Sequence, residues 1–259
     1  MTASNPKRTL AWLSTGCYSY GKEAASDGLD VTDMDETPRL HEPQASDWRA
    51  QRKSGIKIIV TSALIALFIW LGIRYFAPPL SNLGTLADRM LFAFKFWCIA
   101  VLFCFATGID AVAHERLQSP AFDPLLGFET RRMRINLRYL QNTLEQLIVF
   151  TAGLFGLAAY SNGGDAMRAV EATAVVWILF RFAFWIGYHR SATMRSLGAA
   201  GVALSLIVLI YVVIRICFDL GGVLAATVAA GTFIIIEAIL FWTTRFREPP
   251  ESLHATDAD

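Results

Sequence analysis

The chain has 259 residues, of which 54% are hydrophobic, and its formal net charge at pH 7 is +1. A mean hydropathy of +0.43 lies well above that of a water-soluble domain of this size and excludes that class. Nothing in the composition predicts a nucleic-acid partner. The four cysteines form no CxxC motif and no Cys/His cluster, so we predict no metal site.

Along the chain, a polar segment comes first, at 1–54. Because its charges and turn-forming residues show no period, we expect a disordered cytoplasmic tail. A membrane-spanning helix needs about 20 mostly apolar residues. Six segments meet this requirement: 55–77, 89–112, 138–160, 166–188, 199–217 and 221–243. The longest internal loop is expected at about 113–137, and 244–259 forms a second tail.

Basic residues are distributed unevenly between the loops. With both termini in the cytoplasm, the cytoplasmic side carries seventeen Lys and Arg residues against four on the other side. This bias follows the positive-inside rule, and an even number of spans agrees with it. We therefore expect an integral membrane protein with both termini cytoplasmic. The compact loops and the lack of a cleavable signal favour a bacterial inner membrane, and an internal eukaryotic membrane stays open.

The third predicted helix begins with a polar cluster. Arg138, Asn142 and Glu145 follow one another at i, i+4 and i+7, and so they share one face of the helix. Ionisable groups at the edge of a spanning helix are costly, and they indicate a functional site.

A second cluster lies on the fourth predicted helix. Arg181, Tyr188 and Arg195 are each seven residues apart and line one face, and Ser191 joins it one turn after Tyr188. The third helix starts on the cytoplasmic side and the fourth ends there. We therefore expect both clusters to meet at the same membrane level in one crevice.

Such a crevice suits a small ligand that carries carboxylates, an amine and a thiol. Arginine side chains bind carboxylates through two parallel hydrogen bonds, and a glutamate can hold an ammonium group. A nearby arginine lowers the pKa of a thiol and so favours the reactive thiolate. Glutathione has all of these groups and is cytosolic, so we predict it as the co-substrate.

Two sequence motifs carry a family resemblance. The text RYLQNTLEQ, followed about forty residues later by GYHRSATMRSLG, resembles the membrane-associated proteins in eicosanoid and glutathione metabolism, the MAPEG family. That family includes microsomal glutathione transferases, prostaglandin E and leukotriene synthases and a non-catalytic lipoxygenase-activating member. The resemblance covers roughly 88–217.

The resemblance implies a left-handed four-helix transmembrane bundle over 88–217. The predicted spans 55–77 and 221–243 lie outside this family core and add an extra transmembrane helix at each end. The resemblance also implies a homotrimer that binds glutathione between adjacent subunits, near the cytosolic face, and takes its lipophilic small-molecule substrate from the membrane lipid. By position, the glutathione ligands would be Arg138, Asn142, Glu145, Arg181 and Ser191. Arg195 would stabilise the thiolate, with Tyr188 and the more loosely matched Arg116 as further catalytic residues.

Two departures from the family pattern keep a second hypothesis open. Gln146 stands where some members have tyrosine, and Phe184 stands where they have tyrosine or histidine. A non-catalytic lipid-binding or scaffold protein on the same fold is therefore the alternative to a transferase or peroxidase. The clusters also have simpler readings, as a polar network between helices or, for Tyr188, as part of an aromatic belt.

Two further polar residues are given structural or solvent-exposed roles. Asp110, near the cytoplasmic end of the second predicted helix, is expected to meet Arg181 or Arg138. His189, at a helix end, is expected to be solvated.

Overall fold

The computed structural model describes residues 45–245 except residues 124 and 126, and it describes side chains from residue 50 to residue 244. All regular structure in this part of the chain is helical. The α-helices are α1 (Ala45–Phe76), α2 (Leu86–Ala100), α3 (Thr107–Leu117), α4 (Arg131–Tyr160), α5 (Gly164–Arg190) and α6 (Ala199–Arg245). A π-helical stretch, Val101–Ala106, joins α2 to α3 without a break. Two short 3-10 helices lie at Pro120–Phe122 and Met194–Gly198.

Five helical stretches of the described chain are long and apolar enough to cross a membrane. They are Ala50–Phe76, Leu86–Leu117, Arg131–Tyr160, Gly164–Arg190 and Met194–Thr244. The prediction of an all-α membrane protein is confirmed.

Helix α6 is interrupted next to the gap at 218–220 that separates the fifth and sixth predicted spans. Its backbone leaves the helical region at Gly221 (φ −148°, ψ 21°) and Gly222 (φ 65°, ψ −156°). The positive φ of Gly222 is a conformation that side chains with a Cβ rarely adopt, which explains a glycine at this position. Two helical segments of α6 therefore meet at this pair.

Helix α4 begins earlier than predicted, at Arg131 rather than at residue 138. The Thr130 hydroxyl oxygen accepts a hydrogen bond from the Met133 N–H (3.0 Å) and caps the helix. Glu115 at the end of α3 holds this start in place, because it accepts from Thr130 Oγ1 (3.2 Å) and pairs with Arg132 Nε (2.9 Å). The predicted loop 113–137 is therefore too long, since helix fills both of its ends.

The boundary predicted for the N-terminal tail is also too late. Helix α1 starts at Ala45, so 45–54 continues the spanning helix instead of belonging to a tail. Residues 1–44 lie outside the described part of the chain, as do 246–259.

The core lies between α2, α4 and α5. Phe150 of α4 stacks on Trp177 of α5 with 4.3 Å between ring centroids, and both rings are buried. Trp97 of α2 donates to Thr151 Oγ1 of α4 (2.9 Å). These contacts fix the two helices that carry the predicted site.

Helices α4 and α6 pack closely because glycines face the contact. A Cβ built at Gly156 would collide with the side chain of Val212, and one at Gly153 would lie 3.3 Å from Val208 Cγ1. Small residues of this kind let two helix backbones approach within a membrane.

Helix α1 packs on the outside of this bundle. Trp70 Nε1 donates to Thr173 Oγ1 of α5 (3.1 Å), and Ala66 is buried against Val176 and Phe180.

Candidate functional site

The first predicted cluster lies on α4 and divides between two environments. Arg138 and Glu145 are exposed on the outer face of the helix, and Gln141 Nε2 donates to Glu145 Oε1 (3.3 Å). Asn142 is half-buried and turns toward α5. The three residues thus share a side of α4, as their spacing predicts, and Asn142 forms its inner edge.

Arg181 joins the two clusters. Its Nη1 donates a hydrogen bond to Asn142 Oδ1 (2.9 Å), and its side chain is fully buried. Nε and Nη2 have no hydrogen-bond partner, and no acidic side chain pairs with the guanidinium among the described residues. The site therefore contains a buried positive charge that the described chain does not neutralise.

In the second cluster, two aromatic side chains lie between the guanidinium groups of Arg181 and Arg195. The Arg181 guanidinium lies 4.7 Å from the centroid of the Phe184 ring, and this ring is 5.6 Å from that of Tyr188. The Arg195 guanidinium lies 5.7 Å from the Tyr188 ring. Arginine over an aromatic face is a favourable cation–π contact. Arg195, however, lies beyond the end of α5 at Arg190, on the 3-10 helix Met194–Gly198, so the prediction that it shares one helical face with Arg181 and Tyr188 is wrong. Ring contacts nevertheless connect the buried Arg181 to the exposed Arg195.

Ser191 lies at the turn that ends α5. Its hydroxyl oxygen accepts a hydrogen bond from the Met194 N–H (3.1 Å) and so stabilises the 3-10 helix that carries Arg195. The hydroxyl proton is not used in that bond and stays available to a ligand.

Arg195 lies away from α4 within one protomer. It lines a cavity of about 320 Å³ together with Gln51 and Arg52 of α1. The 3-10 helix at Met194–Gly198 packs on α1, α5 and α6, and no comparable packing on α4 is described. The chain therefore brings Asn142 and Arg181 into contact, and the Phe184 ring lies between Arg181 and Tyr188. Arg138 and Glu145 lie on a separate surface from Arg195.

Arg116 and Asp110 both lie on α3. Arg116 is half-buried, and its Nε has no hydrogen-bond partner in the described structure. Asp110 is exposed and forms no ion pair in the described part of the chain, so the expected contact with Arg181 or Arg138 is wrong for the protomer. The reason is its direction, since Asp110 points away from the bundle.

A polar contact next to the site was not predicted from the sequence. The buried Asn136 Oδ1 accepts from Trp185 Nε1 (3.0 Å) and lies 3.0 Å from His189 Nε2. The expectation of a solvated His189 is therefore wrong. No local sequence pattern indicates this contact, because it joins residues 49 positions apart.

Tyr139 was missed as well, although it lies within the quoted motif. Its hydroxyl donates to the main-chain carbonyl of Cys104 (2.7 Å), and its ring stacks on Trp185 with 4.7 Å between centroids. Cys104 lies in the π-helical stretch, where the wider turn changes the α-helical bonding pattern and such stretches are frequent at functional sites. Tyr139 thus ties the second spanning helix to the site.

The fold and these contacts define an integral membrane protein with a polar site between two packed helices. The model of the MAPEG family matches residues 90–216, close to the range in which the motifs were recognised. This part of the chain belongs to the MAPEG family. No curated protein and no solved structure matches the chain.

Proposed function

We propose that the protein is a membrane-embedded, glutathione-dependent transferase or peroxidase that acts on lipophilic electrophiles. The observation that carries this proposal is the pair of Asn142 and Arg181, in which a fully buried cation lacks an acidic partner in the described chain. MAPEG membership supports it, since that family includes glutathione transferases.

The pair is suited to an anionic ligand for two reasons. A positive charge is felt more strongly in a low-dielectric interior than in water, so it favours a carboxylate or a thiolate of a ligand bound near it. The hydrogen bond from Arg181 also occupies Asn142 Oδ1, which leaves the amide NH₂ free to donate to a ligand. Because Arg181 is itself buried, we propose that it orients Asn142 and contributes positive charge to the site without contacting the ligand directly.

The remaining ligands would come from two copies of the chain. Arg138 and Glu145 are exposed in the protomer at the depth of a spanning helix, where contact with lipid would be costly. The exposed positions of α4 include a run spaced alternately by four and three residues: Arg134, Arg138, Gln141, Glu145, Ile148 and Ala152. That spacing is typical of left-handed helix packing between chains. We therefore propose a homotrimer in which α4 faces neighbouring copies and glutathione binds between them.

The membrane topology is part of the proposal. Helix α6 has 47 residues, about 70 Å at 1.5 Å per residue, which is more than twice a hydrocarbon core of about 30 Å. A reversal at Gly221 and Gly222 would give six spans, with a left-handed four-helix bundle flanked by α1 and the end of α6. Both termini would then be cytoplasmic, and a bacterial inner membrane is the location that the compact loops favour.

In the proposed reaction, Arg195 holds glutathione sulfur as the thiolate, and the thiol proton passes to solvent. The sulfur attacks an electrophilic carbon of a substrate taken from the bilayer, so that a C–S bond forms and the leaving group departs with its electron pair. With a hydroperoxide, the thiolate attacks the distal oxygen and releases an alcohol. A second glutathione then yields the disulfide and water. Tyr188 or Arg116 would assist the leaving group by hydrogen bonding.

A non-catalytic lipid-binding or scaffold protein is the second candidate. The Phe184 ring fills the space between Arg181 and Tyr188, where a hydrogen-bonding side chain would stand in some family members. Gln146 is a further departure. Such a protein would keep the helix packing and would not need Arg195.

The two candidates differ in turnover. We would reconstitute the purified chain in lipid and measure conjugation of glutathione to a chloronitrobenzene and reduction of a lipid hydroperoxide. Arg195→Ala is expected to lower the rate of either reaction at least tenfold, and Arg190→Ala, on the neighbouring exposed arginine, serves as the control. Folded protein that binds glutathione without turnover would favour the scaffold. Rates equal in wild type and Arg195→Ala would contradict the assigned role of Arg195.

A further inference from the structure

A cavity of about 660 Å³ lies between α1, the end of α4, the start of α5 and the first half of α6. This volume falls within the roughly 300–1,000 Å³ of small-molecule pockets. The space exists because small side chains line three of the helices: Ala63, Ala66, Ala166, Ala169, Ala200 and Ala203. Trp70, hydrogen-bonded to Thr173, fixes α1 at one wall.

The cavity has the length of a single lipid leaflet. On α1 its lining runs from Ala63 to Arg74, and on α6 from Ala200 to Tyr211. Eleven residues of helix rise about 16 Å, which is close to half of a hydrocarbon core of about 30 Å. An extended acyl chain from one leaflet therefore matches the cavity in length.

The two ends of the cavity differ in polarity. Among the residues described as lining the cavity, Arg74 is the charged one. The same end is also lined by Tyr160, Ser161 and Tyr211. The Arg74 guanidinium lies 3.4 Å from Asp165 Oδ2, and Asp165 also pairs with Arg168. One carboxylate thus serves two arginines. Tyr160 at the same end is contacted by Arg215 and Asp219, so these residues comprise three arginines and two carboxylates, and positive charge is left over.

The cavity is separate from the proposed glutathione site. On α4, Asn142 lies eighteen residues before Tyr160, which is about 27 Å along the helix. The cavity also depends on α1, which lies outside the part of the chain that the MAPEG family model matches. It is therefore an addition that this chain makes to the family domain.

We propose that the cavity binds one acyl chain of an anionic membrane lipid, with the headgroup phosphate at Arg74. The lipid attaches α1 to the bundle by filling the space that the alanines leave. An apolar cavity among spanning helices is in contact with lipid rather than water. An arginine at its polar end favours a phosphate headgroup with net negative charge over a zwitterionic one, in which a choline cation offsets the phosphate. This proposal does not depend on glutathione binding.

The test uses the full chain purified in mild detergent and supplied with phosphatidylglycerol or with phosphatidylcholine of the same acyl chains. Retained lipid is measured by native mass spectrometry. We expect one phosphatidylglycerol per chain, held at least tenfold more tightly than phosphatidylcholine. Ala203→Phe, which places a ring in the cavity, should abolish retention. Ala229→Phe, on α6 beyond the Gly221 and Gly222 break, should leave it unchanged.

The variant Arg74→Gln tests recognition of the lipid headgroup separately from binding of the acyl chain. We expect it to remove the preference for phosphatidylglycerol while the acyl chain is still bound. Equal retention by wild type and a folded Ala203→Phe variant would overturn the proposal. A change of oligomeric state in Ala203→Phe, with lipid binding unaffected, would show that a second copy covers the cavity, and would overturn it too.

Discussion

Replacing Arg181 by methionine tests whether its buried charge serves ligand binding or the stability of the fold. The change removes one hydrogen bond of a charged group to Asn142, about 1.5–3 kcal/mol, and cation–π contacts of about 0.5–2 kcal/mol. It also removes two buried nitrogens, Nε and Nη2, that have no hydrogen-bond partner, each of which costs about 1–3 kcal/mol. The losses and gains are similar, so we expect stability to change by no more than about 1 kcal/mol. For a chain of this size that is about 2–4 °C in Tm.

Glutathione binding is expected to respond differently to Arg181→Met. Without the buried charge and the oriented Asn142 amide, Kd should rise at least tenfold, which corresponds to about 1.4 kcal/mol. Thermal unfolding in detergent gives Tm, and calorimetric titration gives Kd. Arg181→Lys is the matched control for charge, and should retain part of the affinity.

Two outcomes would refute this reasoning about Arg181. If Arg181→Met lowered Tm by more than about 10 °C, the arginine would be a structural element, and the account of its unpartnered nitrogens would be wrong. If Kd were unchanged in a folded variant, the buried charge would have no part in ligand binding.

The other predictions concern neighbouring residues, each of which has a separate readout. Glu145→Gln should raise the Kd of glutathione about tenfold with Tm unchanged; an unchanged Kd would exclude the carboxylate as a ligand. Asn136→Leu should lower Tm by about 4–10 °C, because the buried Trp185 N–H loses its acceptor. A Tm equal to that of wild type would mean that another group satisfies the indole. Tyr139→Phe leaves the Cys104 carbonyl without its donor and should cost about 1–3 kcal/mol by thermal unfolding, whereas no change would show that this bond contributes nothing.

The helices and the first polar cluster were predictable because they depend on local patterns. Long apolar runs identify spanning helices whatever they pack against, and the i, i+4, i+7 spacing places Arg138, Asn142 and Glu145 on one side of α4. The break in α6 was predictable for the same reason, since Gly221 and Gly222 are adjacent in sequence.

The start of α4 and the contacts of Asn136 were not predictable in this way. The first turns of α4 are rich in arginine, so hydropathy assigns them to a loop, and the Thr130 cap becomes visible only with Glu115 beside it. The contact of Asn136 with Trp185 joins residues 49 positions apart. The lipid-sized cavity depends on how α1 packs on α5 and α6, which no local pattern records.

The most direct test of the account is a titration of glutathione into the detergent-purified protein, beside the Arg195→Ala variant. The thiolate absorbance in the ultraviolet is followed together with the heat of binding. We predict micromolar to millimolar binding with a thiolate signal in the wild type, and loss of both in Arg195→Ala. Well-folded wild-type protein that binds no glutathione would contradict it, and would leave the MAPEG fold in a scaffold role.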